Sequence, residues 1–530
     1  MKRRPALGLL LTTWMAVSLS CFPLARLPGT STLGAATALS TAAAESAGTE
    51  TNLATRPLPP PTLFKTGWED RTPWQVGLIP EARKTLAELP AAPVYHMDVI
   101  LQEDLIHLTV RQEVLYTNLE GTPLDRLYFH LYPNLFGGRL EITSARLNGN
   151  SAPVTLEQND ALLRLPFSPA LGQGEAVVIA LDFNVTVPTG GNSNYNTFAY
   201  SDGVLALAQF YPILAVYAPG EGWDTQLPPA YGDVLYADAS LYQIRLTAPA
   251  SVELVSSGVV THQEEKKNQQ IQTIAAGPVR EFYLAARQEF DKISRKSGGT
   301  IINSYAPPGS EESARLVLET AASALESFNN RIGPFPFTEY DLVATATDAL
   351  GVEYPGVVAI SGHLYAPKGS EANTLGGIYL ESTVAHETAH QWFYGIIGND
   401  QIREPWLDEA MAQYSTWLYF LDRYGAEGAG GYRQSWQQRW ETVKKEKIPI
   451  GLPVADYSPQ EYSAIVYGRG PIFIQELEKE MGKQAFAAFL QTYYQAYQWK
   501  IAAGKDFKAL AEQQCACNLT PLFEQWVNSQ

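Results

Sequence analysis

Three features of this 530-residue sequence predict a multidomain fold of mixed α and β structure. The chain is longer than one compact hydrophobic core supports, so two or three domains are expected. Between residues 92 and 290 the apolar side chains alternate with period two, the mark of half-buried strands. Beyond about residue 310 the texture changes to longer segments with helical spacing. Together these predict an N-terminal antiparallel β-sandwich-like domain, followed by a mainly helical domain that holds a small sheet.

The first twenty-one residues set the expected compartment. Lys2, Arg3 and Arg4 form a positive n-region and an apolar h-region runs from Ala6 to Leu19, the pattern of an export signal. The stretch is short for a membrane span, and Pro5 breaks its start. An uncleaved N-terminal anchor is the other reading. Cys21, in Val17-Ser18-Leu19-Ser20-Cys21-Phe22, resembles the lipobox of bacterial lipoproteins, although Ser18 stands where an aliphatic residue is usual. Cys21 is therefore a candidate for lipidation and membrane attachment, placing the protein in the cell envelope or periplasm. Simple cleavage beside a chance cysteine is the plainer account.

Residues 22–66 are rich in Ala, Ser, Thr and Pro and cannot bury a core, so they read as a flexible tether. A connecting segment, 67–91, follows. In the β-domain, 92–290, the plainest strand carries Val177, Ile179, Leu181, Phe183, Val185 and Val187 at alternate positions. Ile106, Leu108, Val110, Val114 and Tyr116 repeat the pattern, as do Tyr242, Ile244 and Leu246, and turn clusters such as Asn148-Gly149-Asn150 separate the runs.

The remaining segment, 291–530, carries helical spacing over 314–328, 379–394, 406–424 and 471–481, and in the stretch ending at Trp526. Two apolar runs, 341–347 and 357–361, read as strands of a small sheet. The formal net charge of −17 leaves no surplus of Lys and Arg to neutralise phosphates, so nucleic acid is not an expected partner. No disulfide framework is read from Cys515 and Cys517, because a single intervening residue strains disulfide geometry. They are assigned no function.

The chemistry concentrates in the second half. Val384-Ala385-His386-Glu387-Thr388-Ala389-His390 contains an HExxH motif inside an apolar helical segment. Residues four apart share a helix face, so both imidazoles can meet one zinc ion while Glu387 reaches a metal-bound water. Five residues with three fixed also arise by accident, and a buried helix can hold a His for structural hydrogen bonds. The next helix is expected to start after Pro405 and reads Trp406-Leu407-Asp408-Glu409-Ala410-Met411. Eighteen residues separate His390 from Glu409, enough for a loop and a return helix that delivers a third ligand.

An HExxH motif with a Glu in a Trp-Leu-Asp-Glu context at this spacing resembles the gluzincin family of aminopeptidase N and the leukotriene hydrolase. That family has a Gly-x-Met-Glu-Asn motif upstream, and Gly351-Val352-Glu353-Tyr354 is similar to it, with Glu353 thirty-three residues before His386. Tyr467, in Tyr467-Gly468-Arg469-Gly470, matches the family's Tyr some sixty residues beyond the third ligand. The Leu127–Leu131 and Gln209–Pro212 regions are similar to its N-terminal β-domain.

The resemblance implies a thermolysin-like catalytic domain over 291–530, with one zinc ion per chain on His386, His390 and Glu409 and with Glu387 as general base. It implies that Tyr467 donates to the oxyanion and that Glu353 and Gly351 bind the free α-amine end of a peptide substrate. Tyr354 stands in place of the motif's Asn and Val352 in place of its Met, which weakens the exopeptidase reading. Gln209 is a candidate second amine contact. A thermolysin-like endopeptidase and an inactive peptidase-fold binding protein are the alternatives. The endopeptidases of that kind carry an Asp four residues beyond the third ligand, where this chain has Gln413.

Overall fold

The computed structural model describes residues 58–190, 194–366 and 376–528. The export signal, Cys21 and most of the tether lie outside them. No helix among the described residues is long and apolar enough to cross a membrane.

The first half is built on an eight-stranded sheet, flanked by two four-stranded sheets. The run of alternate apolar residues from Val177 forms the strand Ala176–Thr186, whose Val177, Ile179, Leu181, Phe183 and Val185 are all buried. It pairs antiparallel with His107–Thr117 on one side and Arg139–Leu147 on the other. β-Branched and aromatic residues at one parity suit a sheet with one face on the core. The sheet departs from the antiparallel expectation at one place, where Val94–Leu101 runs parallel to Ser240–Pro249.

The connecting segment packs against both halves. Trp74 is buried and donates its Nε1–H to the Tyr242 carbonyl at 2.9 Å. Four residues on, Leu78 bridges to Phe337, and Ile79 N–H reaches the Pro336 carbonyl at 2.9 Å. Arg280 makes a second connection. Its buried guanidinium donates only to backbone carbonyls, those of Tyr394, Ala237, Ile396 and Lys500, at 2.7–3.2 Å. Gly398 is a glycine because a Cβ there would lie 2.1 Å from the Arg280 guanidinium carbon.

The second half holds a five-stranded sheet in the order Asp291–Ser297, Thr300–Ala306, Glu339–Thr345, Val357–Ser361, Gly351–Tyr354. The two apolar runs of the sequence are its third and fourth members. The three central strands are parallel, and the helix Glu311–Arg331 crosses between the first two of them. Gly351–Tyr354 is an edge strand, paired antiparallel to Val357–Ser361. Asp291–Ser297 and Thr300–Ala306 carried no strand expectation; both alternate polar and apolar residues weakly and gain their place by pairing.

Helices Gly376–Ala389, Trp406–Glu441 with a break at Gly425 (φ 72°), Pro459–Ala464, Gly470–Met481, Lys483–Tyr497, Gly504–Cys515 and Thr520–Trp526 complete this half. Trp406, Phe473, Phe507 and Phe523 meet edge to face or tilted at its centre. Two expectations need correction. Cys515 and Cys517 are bonded to each other, with Cα atoms 5.1 Å apart. Ala516 caps the preceding helix in the left-handed conformation, at φ 51°, and this reversal brings the two sulfurs together across a single residue. The helix carrying the HExxH motif ends at Ala389, well short of the expected Tyr394. Beyond it the hydrogen bonds shift to i→i+5, from Gly395 to His390, Ile396 to Gln391 and Ile397 to Trp392, and the chain turns through Tyr394 at φ 91°.

Candidate active site

The helix Gly376–Ala389 is buried along Leu380, Val384, Ala385 and Ala389, and this packing fixes how it presents its histidines. His390 lies just past its last regular turn, its N–H still bonded to the His386 carbonyl at 3.3 Å. The Nε2 atoms of the two rings stand 3.1 Å apart. Trp406–Glu441 returns alongside, capped at Pro405, and brings Glu409 Oε2 to 3.2 Å from His386 Nε2 and 3.4 Å from His390 Nε2.

These donors fit a zinc ion. A tetrahedral site with bonds of about 2.0–2.1 Å has donor–donor edges of roughly 3.3–3.4 Å, close to the three separations here. Glu409 Oε2 is buried and has no hydrogen-bond partner, so its lone pairs are free for the shared point. Two imidazoles and one carboxylate leave a fourth position for water or substrate, as catalytic zinc requires.

A second layer of side chains orients the first. Asp408 accepts from His390 Nδ1 at 2.6 Å, both groups fully buried, which fixes the ring with Nε2 toward the triad. Gln401 Nε2 donates to Asp408 at 2.5 Å and to Glu353 at 3.2 Å. Gln391 ties the edge strand to the motif, accepting from Gly356 N–H at 2.8 Å and donating to the Tyr354 carbonyl at 3.0 Å. Gly351 sits under Glu387: a Cβ there would lie 2.6 Å from Glu387 Oε1, so only glycine lets this strand approach the helix.

Glu353, Glu387 and His390 present polar atoms within 4.8 Å of one another. Burial pushes Glu387 well above the usual carboxylate range; His390 opposes this, and Glu353 and Glu409 add to it. Burial likewise pushes Glu353 up to about 8. For Glu409 burial also acts upward, but the two imidazoles outweigh it and hold this carboxylate below its ordinary value. So many buried acids at one point would be stabilised in their charged forms by a bound cation.

Tyr467 lies in a π turn, Ile465–Arg469, and its hydroxyl donates to Glu409 Oε1. Its neighbours explain the local sequence. Gly468 packs on the return helix, where a Cβ would come 3.0 Å from the Trp436 carbonyl, and Gly470 against Ala410, at 2.8 Å. Arg469 pins the turn to the C-terminal helix through the carbonyls of Ile448, Trp526 and Gln525, at 2.8–3.0 Å.

All the sequence-predicted residues His386, Glu387, His390, Glu409, Glu353, Gly351 and Tyr467 line one cavity of about 210 Å³. Gln209 lines it too. Its Nε2 donates to Glu281 at 2.5 Å, and Glu281 also accepts from the Tyr394 hydroxyl. This leaves the Gln209 Oε1 acceptor buried and without a partner. Gln413 accepts from Tyr432 and orients no histidine; Asp408 fills that role. Sequence reading missed Asp408, Gln401 and Glu281. Only Asp408 left a signal, as an acid beside Glu409 on a helix face rich in apolar residues.

The fold and this constellation present the donor set of an HExxH metal site with a distal Glu ligand. Residues 316–526 match the family model described as Peptidase family M1 domain. Aminopeptidase M1-A of Oryza sativa subsp. japonica is 23% identical over 404 residues, which cover 72% of this chain and 43% of that protein. Endoplasmic reticulum aminopeptidase 1 of Homo sapiens is 22% identical over 437 residues, 78% of this chain and 44% of that one. The chain thus spans less than half the length of these curated relatives. Among solved structures, an M1 zinc metallopeptidase from Deinococcus radiodurans superposes with a TM-score of 0.60 at 18% identity, covering 82% of this chain and 93% of that one. Over residues 316–526 the chain is thus similar to the Peptidase family M1 domain, the resemblance that its motifs implied.

Loss of the Asp408 contact is expected to loosen His390. Asp408→Ala should weaken zinc affinity by about 10–100-fold, read by competition against a chromophoric chelator. Unchanged affinity would reduce Asp408 to a packing role.

Proposed function

We propose that the chain is a zinc-dependent aminopeptidase that removes N-terminal residues from peptides. The observation that carries this reading is the convergence of His386, His390 and Glu409 on one point, with Glu353 facing the same cavity from the edge strand. The relatives bear names of the same kind, and a Deinococcus radiodurans structure similar to this one holds a Tyr-Ser-Ala substrate.

His386, His390 and Glu409 would hold the zinc, which would supply Lewis-acid polarisation of the scissile carbonyl and a lowered pKa for the attacking water. Glu387 accepts a proton from that water and returns it to the nitrogen of the leaving amine as the C–N bond breaks. The Tyr467 hydroxyl, held beside the triad by Glu409, donates to the carbonyl oxygen as it gains charge. Glu353 and the free Oε1 of Gln209 receive the α-ammonium. The edge strand Gly351–Tyr354 pairs on one side only in its sheet, which leaves its other edge for an extended peptide.

The first twenty-one residues fit export of such an enzyme, with Cys21 as the lipid attachment point. Mass analysis of the mature N-terminus should find acylated Cys21, and an unmodified Met1 terminus would remove the idea.

Glu387→Gln should retain one zinc per chain and lose about 100-fold to 10,000-fold in kcat. Activity at the wild-type level would strip Glu387 of its role as base. N-acetylation of a good peptide substrate should abolish cleavage by the wild type, whereas equal rates on blocked and free peptides would make the enzyme an endopeptidase.

A further inference from the structure

Five carboxylates line the cavity, those of Asp233, Glu281, Glu353, Glu387 and Glu409. Arg439 is the one Lys or Arg among its described lining residues. Other arginines are committed within the protein. Arg331, Arg403 and Arg423 pair with carboxylates, and Arg280 and Arg469 donate to backbone carbonyls. Arg439 has no ion pair among the described residues. Its one side-chain hydrogen bond runs from Nη1 to Ser463 Oγ at 3.1 Å.

The position of this guanidinium is fixed. Its Cζ lies 5.8 Å from the centre of the Tyr467 ring, and the close approach of Gly468 to the Arg439 Cβ seats the π turn against this part of the helix. The Tyr467 ring in turn lies 6.2 Å from that of His386. Glu353 approaches the triad from the other histidine, 3.9 Å from His390 Nδ1. The acidic group that would take an α-ammonium and the uncommitted guanidinium therefore approach the triad from opposite histidines. A peptide with its amine at Glu353 and its scissile carbonyl at the triad would have the part of the cavity that Arg439 lines for the residues beyond the bond.

We propose that Arg439 binds a carboxylate on the leaving-group side of the scissile bond, which makes short peptides that carry one there the preferred substrates. This rests on the aminopeptidase reading. The planar fork of a guanidinium matches a carboxylate with two parallel hydrogen bonds, a geometry the Lys ammonium lacks. One extended residue spans about 3.3–3.6 Å, so one or two residues beyond the bond bring a carboxylate within reach. That group is either the free C-terminus of a dipeptide or tripeptide, or the side chain of an Asp or Glu that follows the bond.

The test compares Ala-Ala, Ala-Ala-amide and Ala-Asp-amide as substrates of the full chain. The wild type should show a KM about tenfold or more lower for Ala-Ala than for Ala-Ala-amide. Recovery of that advantage by Ala-Asp-amide would assign the site to any nearby carboxylate, and its absence would assign it to the C-terminus. In Arg439→Gln the ratio of kcat/KM on Ala-Ala to that on Ala-Ala-amide should fall about tenfold or more, mainly through KM, with Arg439→Lys between the two. Equal KM values for all three substrates in the wild type overturn the assignment to Arg439 and leave the aminopeptidase reading intact. Hydrolysis of none of them overturns both. The wild-type comparison needs no variant to fold.

Discussion

The contact between His390 and Asp408 is the one on which the site is built. It joins the residue just past the end of one helix to the first turn of the next, and both groups are removed from water. A buried carboxylate and imidazole at 2.6 Å hold each other only if both backbones are fixed, and the surrounding structure fixes them. Tyr340 meets Thr388 at 2.9 Å, Gln391 grips the edge strand, and the Trp406 cluster seats the return helix. With these in place, Glu409 follows Asp408 into position because adjacent helical residues cannot move independently.

The same logic explains why the β-rich half belongs to the walls of the site. Gln209 and Glu281 stand on its strands and loops, yet they line the cavity, and Glu281 engages Tyr394 from the turn after the motif. Arg280, next in the chain, holds the backbone of that turn. One pair of neighbouring residues thus joins the two halves, the first through main-chain carbonyls and the second through side chains. A cavity formed at such a junction presents groups that are already oriented by their hydrogen bonds.

Much of this was legible in the sequence. The HExxH spacing, the distance to Glu409 and the Gly351-Val352-Glu353 run each describe short stretches whose geometry is local, and the structure brings them together. Gly351 also faces Glu387, and its lack of a side chain is what admits the strand. The partners of His390, Glu353 and Gln209 were not legible, because Asp408, Gln401 and Glu281 meet them through space. The strands Asp291–Ser297 and Thr300–Ala306 were missed because their order comes from pairing. The Cys515–Cys517 bond was missed because the left-handed residue that permits it is Ala516, which has no turn preference that sequence rules would notice.

The π turn at Ile465–Arg469 has a consequence for how the chain can change. Such a turn carries an extra residue compared with an α-helix over the same span, and each helical residue rotates the chain by about 100°. The direction of the Tyr467 hydroxyl is thus set by a count of residues as well as by packing. Deleting one residue from this segment would restore a regular helix and swing the phenol off Glu409, while every side chain stayed chemically intact. In this stretch, length is under tighter constraint than composition.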